Sequence, residues 1–196
     1  MIAAAMTQTA LEAPLTAPAP SRPSVAAVAM AARGKKRIVV GIGEFAVSND
    51  RESTILTHAL GSCVAVCLWD PQARVAGLIH VLLPDSRINA DRAAVQPAAF
   101  ADTGIPLLFQ TAYAYGVAKK RCQVRLVGGA DVTGIGAGQT SVGKRNILAA
   151  RALLWKNGVM LQAEAVGGRD PRNVSMDVAD GRIQVTSSGR EPVQEL

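Results

Sequence analysis

From residue 36 onward the apolar residues fall into short runs, several alternating with polar ones, and Gly, Pro, Asn and Asp sit between the runs. Arg37–Gly41 and Ser53–Ala59 are rich in β-branched residues and read as strands. Val64–Trp69 and Val75–Leu83 are two more, separated by Asp70-Pro71-Gln72-Ala73, where proline takes the place a type I turn favours. Together they predict a hairpin. Pairing Trp69 with Arg74 across that loop would place Cys63 directly opposite His80. A helix is expected from an N-cap at Thr103 to Tyr115, ahead of Gly116, and a second over Asn146–Lys156, closed by Asn157-Gly158. Val124–Val127 predicts a strand ending at Gly128-Gly129, and Val159–Val166 another. Val174–Val178 and Arg182–Thr186 form a last hairpin around Asp180-Gly181. Strands outnumber helices and most are joined by short turns. The fold class is therefore α/β in the α+β sense, with a mixed, largely antiparallel sheet and helices on one side.

The two ends look different. Residues 1–34 are mostly Ala, Pro, Thr and Ser with no face to pack, and are expected to be a disordered tail. The apolar stretch Ser24–Ala32 has one Arg before it and Arg33–Arg37 after it, the reverse of a signal peptide's charge order. The folded domain is expected over 35–190, with 191–196 as a flexible C-terminus. Hydrophobic residues make up 49% of the chain but aromatics only 4%, so aliphatic side chains must build the core. No apolar run reaches the ~20 residues a membrane-spanning helix needs. Three cysteines leave at least one free thiol, which favours a reducing, cytoplasmic compartment.

The net charge of +6 is concentrated in Arg33–Arg37 and Lys119–Arg121. With almost no aromatics between the basic residues, base stacking is poorly served and no nucleic-acid partner is expected. Solvated basic faces are the simpler reading. Gly138–Lys144 matches most of a phosphate-binding loop, but Arg145 stands where magnesium would need Ser or Thr. The cysteines and two histidines have no zinc spacing, so neither a metal nor another cofactor is expected.

The informative segment is Thr57–Cys63, in which a strand runs into Gly61-Ser62 and a thiol follows at once. A nucleophile there would sit exposed at a strand end, with backbone N–H groups nearby to receive an oxyanion. An inert small core residue is the commoner fate of a cysteine flanked by Val64, Ala65 and Val66. A cysteine hydrolase also needs a histidine to take the thiol proton and protonate departing ammonia. Of the two available, alternation puts His58 on the face opposite Ile55, Thr57 and Ala59, which favours His80.

Thr57, the Leu60–Val64 run and Ile79–Val81, its histidine seventeen residues beyond the cysteine, resemble the chemoreceptor glutamine deamidases, the CheD family. The resemblance continues through Ala101–Thr103, Gly128–Ala130, Gly143–Asn146 and Gly167-Gly168, and covers about 37–187. It departs from the family pattern at Val127, where an aromatic is usual, and at Asp131-Val132, where a hydrophobic pair is usual. The resemblance implies a layered α/β/β sandwich and a protein-glutamine deamidase that converts side-chain amides of methyl-accepting chemotaxis receptors to glutamate. It implies Cys63 as nucleophile, His80 as base and Thr57 as the third, orienting member, with Gly61 and Ser62 as candidates for contact with substrate. It also implies, as a possible partner, an aspartyl-phosphate phosphatase of chemotaxis. The rival reading is a non-catalytic protein that regulates such a phosphatase or a receptor by docking.

Overall fold

The computed structural model describes residues 35–132, 141–187 and 190–196. The expected tail, 1–34, lies outside the described residues, as do residues 138–140 of the phosphate-loop match. Among the described residues, ten strands form two five-stranded sheets. One sheet has the order β1 (Lys36–Val39), β3 (Ser53–Leu60), β8 (Arg172–Asp177), β9 (Ile183–Ser187), β10 (Arg190–Glu195). The other has the order β2 (Phe45–Ser48), β5 (Val75–Val81), β4 (Val64–Asp70), β6 (Gln123–Gly128), β7 (Leu161–Val166). β1 with β3 and β6 with β7 run parallel; every other pairing is antiparallel. The helices are α1 (Ala90–Val95), α2 (Ala101–Ala114) and α3 (Val142–Lys156), with single 3-10 turns at 86–88, 97–99 and 119–121.

The β2–β7 sheet is the middle layer, and β4 shows why. Its even positions Val64, Val66 and Leu68 pack with Ile105, Leu108, Ile147 and Leu154 of α2 and α3. Its odd positions Ala65 and Cys67 pack with Ile55, Val174, Met176 and Val185 of the other sheet. A strand covered on both faces reads as a continuous apolar run, which is what Val64–Leu68 is. The result is helices on sheet on sheet, the mixed and largely antiparallel α/β/β arrangement that the pattern and the resemblance led us to expect. All three cysteines are buried free thiols. No helix among the described residues is long and apolar enough to cross a membrane.

Four details differ from the sequence reading. Thr103 does not cap α2: the helix starts at Ala101, with Phe100 at the cap position, and the Thr103 hydroxyl donates to Pro97 O. The start is instead set by the backbone, Ala101 N–H bonding Leu83 O at 2.9 Å. The helix α3 begins four residues earlier than expected, at Val142, because the Ser141 hydroxyl caps it by accepting from Lys144 N. The flexible end is expected over 191–196, whereas Arg190–Glu195 forms strand β10 on β9, with an irregular register between Arg190 and Gln194.

The fourth difference is the hairpin register. Asp70, not Trp69, closes the β4–β5 loop, pairing with Val75, and His80 lies opposite Ala65 rather than Cys63. The Asp70 carboxylate accepts from Gln72 N and Ala73 N, and Arg74 takes the left-handed conformation, with its N–H on Asp70 O at 2.7 Å. The loop is therefore Pro71–Arg74. The shift is by two residues, so it preserves parity: Cys63 and His80 still project from the same face of the middle sheet.

Candidate functional site

That shared face looks into the space between the two sheets, and Thr57 reaches it from the opposite side. Thr57 follows Ile55 on the inward face of β3 and is fully buried. Its hydroxyl donates to Val40 O at 2.7 Å, and Oγ1 lies 2.7 Å from His80 Nδ1. A hydroxyl has one proton, and Val40 takes it. The second bond must therefore be Nδ1–H donating to Thr57, which leaves Nε2 as the bare acceptor of the neutral ring. Nε2 is buried and has no hydrogen-bond partner. The backbone of His80 is pinned as well, its N–H on Glu44 O and its C=O accepting from Gly43 N.

Burial holds the His80 imidazole down to about 4, so the ring is neutral at physiological pH. Burial also pushes the Cys63 thiol up, offset in part by its own backbone N–H. At rest the Cys63 thiol and the His80 ring are thus both neutral. With Ala65 opposite His80, Cys63 stands two residues before Ala65, just before β4 begins, where a regular ladder would make it the diagonal neighbour of His80 at about 7–8 Å. In this conformation the thiol does not donate to Nε2, and catalytic hydrogen bonds of this kind often tighten only around substrate.

The turn carrying Cys63 is held at three consecutive carbonyls. Gly61 O accepts from Ala130 N and Cys63 O from Gly129 N, both at 2.7 Å. Ser62 O accepts from the side chain of Asn146, on α3, at 2.9 Å. Close approach explains the double glycine: a Cβ on Gly128, which sits at φ +106°, would lie 2.4 Å from Cys63 O. On the other side of the loop, a Cβ on Gly143 would lie 2.5 Å from Gly129 O, so α3 can touch the loop only because its first turn carries glycine there. Ahead of the turn β3 is bulged between Thr57 and Leu60, and Ala59 adopts φ +56°, rare outside glycine. The bulge is braced by Ala59 N–H on Asn173 Oδ1.

The structure brings Thr57 and His80 into contact and puts Cys63 on their side of the sheet, at the end of a half-buried Gly61-Ser62 turn. His58 is exposed on the far face of β3, next to Arg37, Asn173 and Thr186. Cys67 is wholly buried, its thiol pushed up to about 12 by burial despite Arg125 nearby, and Cys122 to about 11 by burial and by Asp70. Two participants escaped the sequence reading: the Val40 carbonyl, which fixes the tautomer, and Asn146. Asn146 was visible only as the end of the Gly143–Asn146 stretch; nothing in its helical context marks a buried amide. The basic run at Lys119–Arg121 is partly structural, since Arg121 pairs with buried Asp70 at 2.8 Å and Lys119 Nζ donates to Asn157 O.

Comparison with known proteins bears on what this arrangement does. Residues 82–187 match the family model described as CheD chemotactic sensory transduction. The chain is 42% identical over 159 residues to a probable chemoreceptor glutamine deamidase CheD 1 of Syntrophus aciditrophicus, spanning 81% of this chain and 98% of the relative. It is 43% identical over 155 residues to the probable chemoreceptor glutamine deamidase CheD of Syntrophotalea carbinolica, spanning 78% of this chain and 95% of that one. A second such protein of Anaeromyxobacter dehalogenans is 43% identical over 150 residues, 76% of this chain and 94% of its own. These alignments extend over most of both chains, well beyond the segment the family model covers.

Proposed function

The chain belongs to the CheD family, and from that premise we propose that it is a protein-glutamine deamidase that hydrolyses glutamine side chains of chemoreceptors to glutamate, with Cys63 as nucleophile, His80 as base and Thr57 as the group that orients the ring. The relatives' names supply the substrate class. The single observation that carries the residue roles is the Val40–Thr57–His80 chain of hydrogen bonds, which leaves Nε2 bare on the face Cys63 shares.

The steps follow from the protonation states. The Cys63 thiol gives its proton to His80 Nε2 as the sulfur attacks the amide carbon, and the carbonyl oxygen becomes an oxyanion. The Cys63 N–H is a donor for that oxygen. The ring then passes the proton to the amide nitrogen, the C–N bond breaks, ammonia leaves, and a thioester remains. Nε2 next takes a proton from water, the resulting hydroxide attacks the thioester, the C–S bond breaks, and the thiolate recovers the proton. Glutamine plus water has become glutamate plus ammonia. Thr57 is neutral and stabilises an imidazolium less than a carboxylate would, in keeping with a ring that titrates near 4. Cys63 is only 7% exposed, which suits a slender side chain reaching inward.

The test is mass spectrometry of a chemoreceptor cytoplasmic fragment incubated with the protein. A gain of about one mass unit at specific glutamines is expected, and its absence with Cys63→Ala. Full activity in Cys63→Ala would overturn the residue roles, and no mass shift with the intact protein would favour regulation by docking alone.

A further inference from the structure

Asn146 has no exposed surface, and its side-chain nitrogen donates to two carbonyls, Ser62 O and Leu82 O, each at 2.9 Å. Its Oδ1 is buried with no partner. An apolar residue would fill a helix-to-sheet contact without stranding an acceptor, so the value of the amide lies in its two donated bonds.

What those bonds join is specific. Ser62 immediately precedes the Cys63 thiol, and Leu82 lies two residues beyond the His80 ring. One planar amide therefore braces the chain segment bearing one group against the segment bearing the other, across the end of the β4–β5 pair. It also sets a direction. In a trans peptide the C=O and the following N–H point opposite ways. Gly61 O is taken by Ala130 N, Ser62 O by Asn146 and Cys63 O by Gly129 N, so three consecutive carbonyls are drawn back into the protein. The N–H groups of Ser62 and Cys63 are left opposed to those carbonyls; neither has a backbone acceptor among the described residues, and the Cys63 N–H bonds only its own sulfur. Consecutive N–H groups, where they turn the same way, form a cradle for a negative oxygen.

We propose that Asn146 is a positioning residue for the deamidation: by holding Ser62 O and Leu82 O it fixes the spacing of Cys63 and His80 and turns the Ser62 and Cys63 N–H groups toward the oxyanion. The proposal rests on Cys63 being the nucleophile. It goes beyond the triad by adding a second oxyanion donor, Ser62 N–H, and a residue from α3.

The experiment compares full-length wild-type protein with Asn146→Ser, which keeps one shorter donor, and Asn146→Asp, which keeps the shape but, when ionised, donates nothing. Each is assayed for kcat and KM on the receptor fragment, with circular dichroism to establish the fold. Misplacement by about 1 Å costs roughly a hundredfold, so kcat should fall about that much in Asn146→Asp and less in Asn146→Ser, with KM little changed. A kcat near wild type in either folded variant would overturn the proposal. So would a rise in KM alone, which would mark a substrate-binding role, or loss of fold in both variants, which would make the residue structural. Cys63→Ala in the same assay separates the two readings. Activity surviving there removes the nucleophile and this proposal with it; an inactive Cys63→Ala beside fully active Asn146 variants removes this proposal alone.

Discussion

Thr57 and His80, twenty-three residues apart and on different sheets, share a 2.7 Å hydrogen bond whose direction is dictated by a third group, the Val40 carbonyl. Because the threonine proton is already committed, the imidazole must be the donor at Nδ1, and Nε2 is left as its basic nitrogen. A neutral hydroxyl thus selects the tautomer without the charge that would raise the ring's pKa.

Thr57→Val removes the acceptor while keeping the shape. The Nδ1–H would be left without a partner, or the ring would move its proton to Nε2 and cease to be a base there. We expect kcat to fall about tenfold to a hundredfold with KM little changed, and Thr57→Ser to retain most activity. Equal rates for Thr57→Val and wild type would show that the tautomer is set by something else.

The pH dependence follows from burial of His80, which lowers its pKa from the usual 6.5 to about 4. The base is competent when neutral, so the acid limb of kcat/KM should fall near pH 4 and not near 6.5. Stability has its own sign. The unfolded ring binds a proton below 6.5 and the folded ring only below about 4, so between those values the unfolded state holds more protons. The contribution of neutral His80 is fully present above 6.5 and is lost as pH falls through that window. Thermal melts of wild type and His80→Asn, run from pH 7 to 4, should converge as the pH drops. Parallel curves would contradict the buried neutral ring.

Alkylation separates the cysteines. All three thiols are buried and pushed up, Cys67 to about 12 and Cys122 to about 11; Cys63 differs in sitting at the end of a half-buried turn. Iodoacetamide should label Cys63 first, and labelling should abolish deamidation; Cys67→Ala and Cys122→Ala should stay active. His80→Ala should be inactive and His58→Ala should not, since His58 is exposed on the opposite face of β3. Activity surviving complete labelling of Cys63 would remove it from the chemistry.

How much of this was legible in the sequence depends on the period of each signal. Strand alternation placed Thr57 and His80 inward and His58 outward, because parity survives errors of two residues. Alternation is blind to the absolute register, and Asp70 shows why. It looked like an ordinary polar turn residue, but it is fully buried and anchors the loop from the last position of β4. The short strand β2 carried too few alternations to register. Asn146 and Val40 act through bonds to backbone carbonyls, and a carbonyl has no residue-type signature.

The last prediction separates anchoring from chemistry at that same Asp70. Burial raises its carboxyl, but the Arg121 guanidinium and the N–H groups of Ala118, Ala73 and Gln72 more than offset this, leaving it at about 2. Its stabilising contribution is complete above the unfolded value near 3.8 and lost as pH falls through 2. Asp70→Ala leaves three backbone donors and a guanidinium without their acceptor. A loss of about 3–5 kcal/mol is expected, which at about 2–4 °C per kcal/mol lowers Tm by roughly 6–20 °C. Activity measured well below that Tm should nevertheless stay within a few-fold of wild type. A one-residue slip of β4 would turn Val64, Val66 and Leu68 away from the helices, so the core itself holds the register once the chain is folded. If folded Asp70→Ala instead loses activity a hundredfold with only a small drop in Tm, the loop and not the core aligns Cys63 with His80.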